Sequence, residues 1–288
     1  MMTHYYQIAA HRLSFSGDEL CNAVEQIAGF SPFRTTEEGD ARNLTFTMAD
    51  AKELLPFREV QYQLEFEDVK GSFGPVADNV YMLSLCPEGK SPLYMWANME
   101  EGKAYLTGNI AECYLLRFAL WVGFGLLTNQ HHTVAIHSSC IVHQGKAVLF
   151  LGESGTGKST HTRLWRKHIA GATLLNDDSP ILRVEDGKVW AYGSPWSGKT
   201  PCYKNARYEL AGCVRLSQAP HNVIRRLSVL QGYGALHPSC PPEFAYDTML
   251  YDGVSNVISG ILAAVPVFHL ECLPDKAAAE LSCKTLFG

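Results

Sequence analysis

Several features that would assign the chain to a common function class are missing from its sequence. Lysine and arginine number 24 against 29 acidic residues, giving a net charge of −5, so the basic excess of a nucleic-acid-binding protein is missing. The nine cysteines include no Cys-x-x-Cys pair and no metal-ligand spacing, which is typical of reduced, buried thiols in a cytoplasmic protein. The Asn-Lys-x-Asp motif of GTPases and the Leu-Ser-Gly-Gly motif of ABC-type ATPases are missing too, which argues against both classes.

Long apolar runs are missing as well. The most apolar window, residues 115–127, contains Arg117 and is too short to cross a bilayer, so it predicts a buried helix. The first residues lack the basic-then-apolar pattern of a signal peptide. These observations predict a cytoplasmic protein that has neither a membrane nor a nucleic acid among its partners.

What the sequence does contain predicts a mixed α/β protein of two domains. The chain has 288 residues, of which 47% are apolar and 18% charged. Residues 1–110 carry short apolar runs separated by turn-forming stretches, which predicts a smaller β-rich N-terminal domain of unknown role. Residues 111–288 form the second predicted domain, which begins with a helix over 111–130, includes a further helix over 222–234 and contains the catalytic motifs.

The most specific motif is a glycine-rich loop of the form Gly-x-x-x-x-Gly-Lys-[Ser/Thr]. An apolar run at 147–151 precedes it and a segment of helical composition at 161–170 follows, which is the order of a phosphate-binding loop. Such a loop surrounds phosphates with backbone N–H groups, while its lysine contacts the β- and γ-phosphates and its serine ligates Mg²⁺. The motif therefore predicts a nucleoside triphosphate with Mg²⁺, taken here as ATP, and does not specify the base. The predicted nucleotide-binding residues are Gly152, Glu153, Ser154, Gly155, Thr156, Gly157, Lys158, Ser159 and Thr160.

Two adjacent aspartates, Asp177 and Asp178, follow the loop lysine at the end of an apolar segment. A phosphotransferase needs one carboxylate to help hold Mg²⁺ and another to accept the proton of the attacking hydroxyl. The alternative is a solvated turn that ends at Pro180. Downstream of a phosphate-binding loop, the catalytic interpretation is favoured.

Two further features have a functional and a structural interpretation, and the sequence leaves both open. His137 lies among apolar residues before the loop, where it is either a partner of an aspartate or a core histidine. The segment 194–199 is either an ordinary surface loop or a place from which Lys199 reaches an anionic substrate.

Taken in order, these motifs resemble the HPr kinase/phosphorylase and phosphoenolpyruvate carboxykinase superfamily. The resemblance covers roughly residues 110–285 and points most to bacterial HPr-kinase-related kinases of serine or peptides. It implies a phosphate-binding-loop domain of that type. It also implies Lys158 at the phosphates, Ser159 and Asp178 at the metal, Asp177 as general base and His137 in support of the aspartate.

The leading hypothesis is a Mg²⁺/ATP-dependent kinase that transfers the γ-phosphoryl group to a hydroxyl, such as a serine of a peptide, a protein or a small molecule. A nucleotide-binding regulatory module without turnover and a carboxykinase-like (de)carboxylation remain as alternatives. The sequence leaves the acceptor and the oligomeric state open, a homo-oligomer included.

Overall fold

The computed structural model describes residues 2–36, 43–198 and 200–288. The chain folds into two compact units, one comprising Met1–Gln130 with Glu243–Tyr251 and the other His131–Pro242 with Asp252–Gly288. The chain therefore divides later than the predicted domain boundary at residues 110 and 111. In the described residues, no helix is both long enough and apolar enough to cross a membrane.

The first unit is built on a nine-stranded sheet in the order β3-β1-β2-β4-β9-β8-β7-β6-β5. Most neighbours are antiparallel, but β2, β4 and β9 form a parallel group of three. The strands are β1 (Thr3–Ile8), β2 (His11–Ser16), β3 (Arg34–Thr35), β4 (Asn43–Met48), β5 (Tyr62–Phe66), β6 (Val69–Ala77), β7 (Val80–Pro87), β8 (Leu93–Asn98) and β9 (Lys103–Gly108), and the helices are α1 (Asp18–Gln26) and α2 (Cys113–Thr128).

Aromatic side chains fill the core of the first unit. Phe15 of β2 stacks on Phe46 of β4 at 5.1 Å and meets Tyr6 of β1 edge-on at 5.3 Å. Helix α2 covers the sheet, and a Cβ atom on Gly123 would lie 2.8 Å from the Phe46 ring and 3.4 Å from the Met95 sulfur. The helix is apolar almost all round because it is buried against this sheet, as its sequence predicts.

The second unit has a mixed sheet in the order β10-β14-β15-β16-β12-β11-β13, with β18 also beside β16 and β17 beside β18. Strands β12, β16 and β18 are parallel to one another. The strands are β10 (Thr133–Ala135), β11 (Ser138–His143), β12 (Lys146–Leu151), β13 (Thr173–Asp178), β14 (Ile181–Glu185), β15 (Lys188–Tyr192), β16 (Arg207–Gln218), β17 (Val223–Arg226) and β18 (Val267–Cys272). The remaining helices are α3 (Lys158–His168), α4 (Val229–Leu236), α5 (Thr248–Ala264) and α6 (Lys276–Phe287), and short 3-10 turns occupy Ser31–Phe33, Ala51–Glu53, His237–Ser239 and Pro242–Tyr246.

The mixed α/β class predicted from the sequence is confirmed, and so is the helix predicted over residues 111–130. The helix predicted over residues 222–234 is wrong in its first half. Val223–Arg226 pairs with β18 as strand β17, and helix α4 begins only after Ser228. Ser228 caps that helix by accepting from the backbone of Gln231, so the cap and the β-branched residues before it set the boundary.

Candidate functional site

The glycine loop, residues 152–157, connects β12 to α3 at one end of the second unit's sheet. Strand β12 is buried between β11 and β16, which explains its continuous apolar sequence. Gly155 and Gly157 have φ angles of +85° and +106°, and a Cβ atom on either would meet nothing within 4 Å. Open space therefore lies beside the loop where it turns into the helix, and the first N–H groups of α3 have no partner within the helix.

Lys158 is the first residue of α3 and is only 9% exposed. Its Nζ atom donates to the carbonyl oxygens of Gly152 at 2.6 Å and Glu153 at 3.3 Å. Burial lowers the pKa of the Lys158 ammonium, while the nearby carboxylates of Asp178 and Asp177 act in the opposite direction. The lysine charge is thus held at the loop, with carboxylates close by.

His137 connects this lysine to one of the two aspartates. Lys158 Nζ lies 3.0 Å from His137 Nε2, and His137 Nδ1 lies 3.2 Å from an oxygen of Asp178. An ammonium can only donate, so Nε2 accepts and the ring proton of a neutral His137 lies on Nδ1, facing Asp178. His137 itself is in a bend between β10 and β11, although the sequence predicts it on a strand.

Asp177 and Asp178 face different partners because side chains alternate along strand β13. Asp177 is 4% exposed and its Oδ1 atom accepts hydrogen bonds from the hydroxyls of Ser139 and, at 3.0 Å, Ser159. Asp178 is more exposed and faces His137. The structure therefore brings Ser159 to Asp177 within hydrogen-bond distance, whereas the sequence pairs Ser159 with Asp178 at the metal.

Two residues that sequence reasoning gave no role hold this arrangement together. Ser139 lies opposite Asp177 in the β11–β13 pairing, which is how its hydroxyl reaches the carboxylate. Asn176 is fully buried, and its side chain donates to Ser194 and to the carbonyl of Trp196 at 3.0 Å. Asn176 thus fixes the loop after β15 onto the strand that carries the aspartates. Lys199, which the sequence places in that loop, lies outside the described residues.

Two cavities flank the start of α3, and Thr160 lines both. The larger, about 540 Å³, lies between the glycine loop, α3 and the ends of β16 and β18, where Leu164, Leu216 and Pro274 give it apolar walls. The smaller, about 260 Å³, lies along another face of α3. Its lining includes Ser159, Thr162, Arg163, Arg166, Asp177 and Thr200.

The donor atoms at the loop suit Mg²⁺. Ser159 Oγ and Asp177 Oδ1 are hard oxygen donors, the type that Mg²⁺ prefers. Ligands on adjacent corners of an octahedron with bonds of about 2.0–2.1 Å lie about 2.9 Å apart, close to the 3.0 Å between these atoms. Within the described part of the chain, no group of three His, Cys, Asp or Glu residues has the geometry of a metal site. A metal here would take further ligands from phosphate and water.

Comparison with protein-family models gives no match to this chain. Comparison with curated proteins gives no match either. Among solved structures, the Hpr(Ser) kinase/phosphatase from Coxiella burnetii is similar at 16% identity, with 53% of this chain and 87% of that chain covered and a TM-score of 0.31. This relation is distant, so the function proposed below rests on the side chains of the protein itself.

Proposed function

We propose that the protein is a Mg²⁺/ATP-dependent kinase that transfers the γ-phosphoryl group to a hydroxyl of a peptide, a protein or a small molecule. The proposal rests on two sets of contacts between the start of α3 and the carboxylates of β13. Ser159 contacts Asp177 directly, and Lys158 is linked to Asp178 through His137. Phosphoryl transfer depends chiefly on positioning and charge stabilisation, which a cation, hydroxyls and carboxylates at one loop can supply.

The nucleotide would bind with its phosphates at the glycine loop and its base in the larger cavity. The open side of Gly155 and Gly157 gives the phosphates access to backbone N–H groups, and the positive end of α3 favours them. The apolar walls of the 540 Å³ cavity suit a flat base, and the volume lies in the range of small-molecule sites. Gln218 Nε2 donates to the Gly155 carbonyl at 3.2 Å, so the end of β16 supports the loop on that side.

The residues at the loop would hold the charges in place. Lys158 would contact the β- and γ-phosphates. Ser159 Oγ and one of the two aspartate carboxylates would hold Mg²⁺, which when bound neutralises phosphate charge. Release of Lys158 Nζ from the Gly152 and Glu153 carbonyls lets it reach the phosphates. His137 remains between Lys158 and Asp178 and fixes the orientation of both.

The resemblance assigns the general base to Asp177 and a metal ligand to Asp178. Asp177 lines the smaller cavity, through which an acceptor can approach, and its Oδ1 atom accepts hydrogen bonds from two serine hydroxyls. The second oxygen would then accept the acceptor's proton. The competing assignment gives the metal to Asp177 and the proton to Asp178, because Ser159 and Asp177 have the spacing of neighbouring Mg²⁺ ligands.

A phosphoryl-transfer assay separates these assignments. Wild type, Asp177→Asn and Asp178→Asn are incubated with γ-labelled ATP, a range of Mg²⁺ concentrations and a panel of free serine, serine-containing peptides and a small-molecule extract. Loss of the base should lower kcat about 10²–10⁴-fold with little change in the Mg²⁺ dependence. Loss of a metal ligand should mainly raise the Mg²⁺ concentration at half-maximal rate. Asp177→Asn showing the metal pattern and Asp178→Asn the base pattern would exchange the two roles.

Asp186→Asn is the matched control, because Asp186 lies in the turn between β14 and β15, outside the site. It should transfer label at the wild-type rate. Nucleotide binding without transfer to any acceptor would reject the kinase and favour a regulatory module. Decarboxylation in place of transfer would favour a carboxykinase-like reaction.

A further inference from the structure

We propose that the smaller cavity is the acceptor site, and that Arg163 and Arg166 recognise a small hydroxyl compound by a carboxylate or phosphate group that it carries. This inference rests on the proposed kinase function and names the class of its acceptor. The cavity touches Asp177 and Ser159 at one end and the two arginines along its length.

The geometry follows from the spacing of residues on α3. Ser159, Thr162, Arg163 and Arg166 lie at intervals of three and four residues, so they share one face of the helix. Leu174 and Asp177 of β13, together with Thr200, form the opposite wall. Helical side chains lean toward the N-terminus, so the Arg163 side chain extends over the turn that holds Ser159. A compound whose anionic group is bound by Arg163 would therefore have its hydroxyl within reach of the carboxylate of Asp177.

The charge pattern of this face favours an anion, and both arginines are exposed and therefore accessible to one. Arg163 and Arg166 are like charges three residues apart, an arrangement that destabilises a helix slightly. Across the described ranges neither makes an ion pair, whereas Arg183, Arg207 and Arg215 of the same unit each pair with a glutamate. The positive charge of Arg166, in the last turn, interacts favourably with the helix dipole. Arg163 lies in the middle of the helix, where the dipole does not stabilise its charge.

Neighbouring groups add to the positive potential of the cavity. Lys204 Nζ donates to the carbonyl of Leu174, a lining residue, at 2.5 Å, and Lys204 and Arg166 both oppose the rise that burial causes in the pKa of the nearby Cys202 thiol. Cys202 in turn contacts the Leu174 carbonyl on the cavity wall, at 3.6 Å. Among the described residues of the lining, Asp177 is the one that is acidic, and it lies at the Ser159 end. The cavity is thus basic along α3 and acidic where the hydroxyl must be deprotonated.

The size of the cavity limits the acceptor. A volume of about 260 Å³ is below the roughly 300–1,000 Å³ of sites for drug-sized ligands, so a small molecule fits and its charged group must lie close to its hydroxyl. Arginine binds carboxylate and phosphate through paired N–H groups, and either anion satisfies the geometry. Binding measurements with a carboxylate probe and a phosphate probe tell these two anions apart.

Titration calorimetry on the full chain without nucleotide tests the site directly. The probes are glycerate, glycerol 3-phosphate and glycerol, which share a three-carbon hydroxyl skeleton and differ in carrying a carboxylate, a phosphate or no charge. Wild type should bind one or both anionic probes and not glycerol, and the stronger of the two identifies the anion. The double variant Arg163→Gln/Arg166→Gln should weaken that binding about tenfold to a hundredfold, the loss expected for charge-assisted hydrogen bonds.

Lys167→Gln is the matched control, since Lys167 has the same charge on the same helix but does not line the cavity. It should bind the probes as wild type does. No binding of either anion by wild type, equal binding by the double variant, or the same loss in Lys167→Gln would overturn the inference.

Phosphoryl-transfer assays with the same probes separate a failure of the acceptor-site inference from a failure of the proposed kinase function. The double variant should raise KM for the anionic probe by the same factor and leave ATP binding unchanged. Transfer to glycerol as fast as to the anionic probes would overturn the inference alone. Anion binding without transfer to any acceptor would overturn the proposed function, and the acceptor role with it.

Discussion

The two units contain the same structural element and use it differently. Each nine-stranded sheet includes three parallel strands, β2-β4-β9 in the first unit and β12-β16-β18 in the second. Parallel strands bring their C-terminal ends to one edge, where ligands of α/β proteins commonly bind. In the second unit β12 leads into the glycine loop, while β16 and β18 end at Gln218 and Cys272. Gly155 and Gly157 of the loop and both of these strand-end residues line the larger cavity.

In the first unit the corresponding strand ends lead to Gly17, Ala49 and Asn109. The first charged residues beyond β2 and β4 are the carboxylates Asp18 and Asp50, and no glycine loop ending in a lysine follows these strands as it follows β12. Among the described residues of this unit, the buried charge-bearing groups lie elsewhere and include Arg12, near the start of β2, and Glu243, in the segment Glu243–Tyr251. The comparison shows that the strand arrangement by itself does not make a site. The glycine loop after β12 and the lysine at the start of α3 distinguish the second unit from the first.

Lys158→Ala should have the largest effect, because it removes the cation at the loop of the second unit. We expect transfer to fall about 10²–10³-fold, the loss typical of one preorganised electrostatic contact. The stability of the first unit should not change, as measured by the hydrogen-exchange protection of backbone amides in β2, β4 and β9. Lys103→Ala, on β9, is the control and should leave the transfer rate unchanged. Wild-type activity in Lys158→Ala would contradict the assignment of the loop.

Glu243 should make the stability of the first unit fall as pH rises. Burial raises the pKa of its carboxyl from 4.5 to about 7, and its Oε1 atom has no hydrogen-bond partner within the described residues. Between these values the unfolded chain loses the proton and the folded chain keeps it, so stability present below pH 4.5 is lost by pH 7. The full shift corresponds to about 3 kcal/mol.

The measurement is the free energy of unfolding of wild type and Glu243→Gln between pH 4.5 and pH 7. The variant should not show the loss, since glutamine does not titrate. Parallel curves for the two proteins would contradict a buried, protonated Glu243.

His161 of α3 should give the second unit the opposite dependence. Burial lowers the pKa of its imidazole from 6.5 to about 4, and its Nε2 atom lies 3.1 Å from Ser282 Oγ. As pH falls from 6.5 to 4 the unfolded chain gains a proton that the folded chain does not, so stability is lost in that window. The size is again about 3 kcal/mol, and His161→Gln should abolish it in urea unfolding. Identical pH slopes in variant and wild type would argue against a neutral, buried His161.

Two glycine substitutions should give the smallest effects, with opposite signs in the two units. Gly123→Ala in α2 places a methyl group 2.8 Å from the Phe46 ring, and we expect a loss of about 1 kcal/mol despite the better helix propensity of alanine. Gly234→Ala in α4 meets nothing within 4 Å, and we expect a gain of about 0.5–1 kcal/mol. Thermal unfolding of both variants measures the contrast, and a gain from Gly123→Ala would show that α2 can move away from the sheet.

The sequence predicts those parts of the molecule that depend on neighbours along the chain. The glycine motif lies between β12 and α3 because an apolar run, a flexible loop and a helical segment follow one another directly. The sequence pattern does not predict strand β6, because Gly71, Gly74 and Pro75 interrupt its apolar residues. The structure explains Gly74 by a close backbone approach, since a Cβ atom there would lie 2.1 Å from the Glu59 carbonyl oxygen.

The sequence singles out some of the side chains that meet at the candidate site, but not the contacts between them. The alternation of side chains along a strand already implies that Asp177 and Asp178 face apart. Which hydroxyl or imidazole meets each aspartate depends on the β11–β13 register and on the start of α3, and no local pattern encodes either. The two arginines of α3 were passed over for the same reason, since only the folded helix places them beside Asp177.

Thr160 has a consequence for how such a protein could change its substrates. This residue lines both the 540 Å³ and the 260 Å³ cavities and so separates them at the start of α3. A larger residue at this position would narrow both compartments, and a smaller one would widen both. If donor and acceptor occupy the two sides, their selectivities are not independently adjustable at residue 160, and an inherited change there would alter two preferences in a single step.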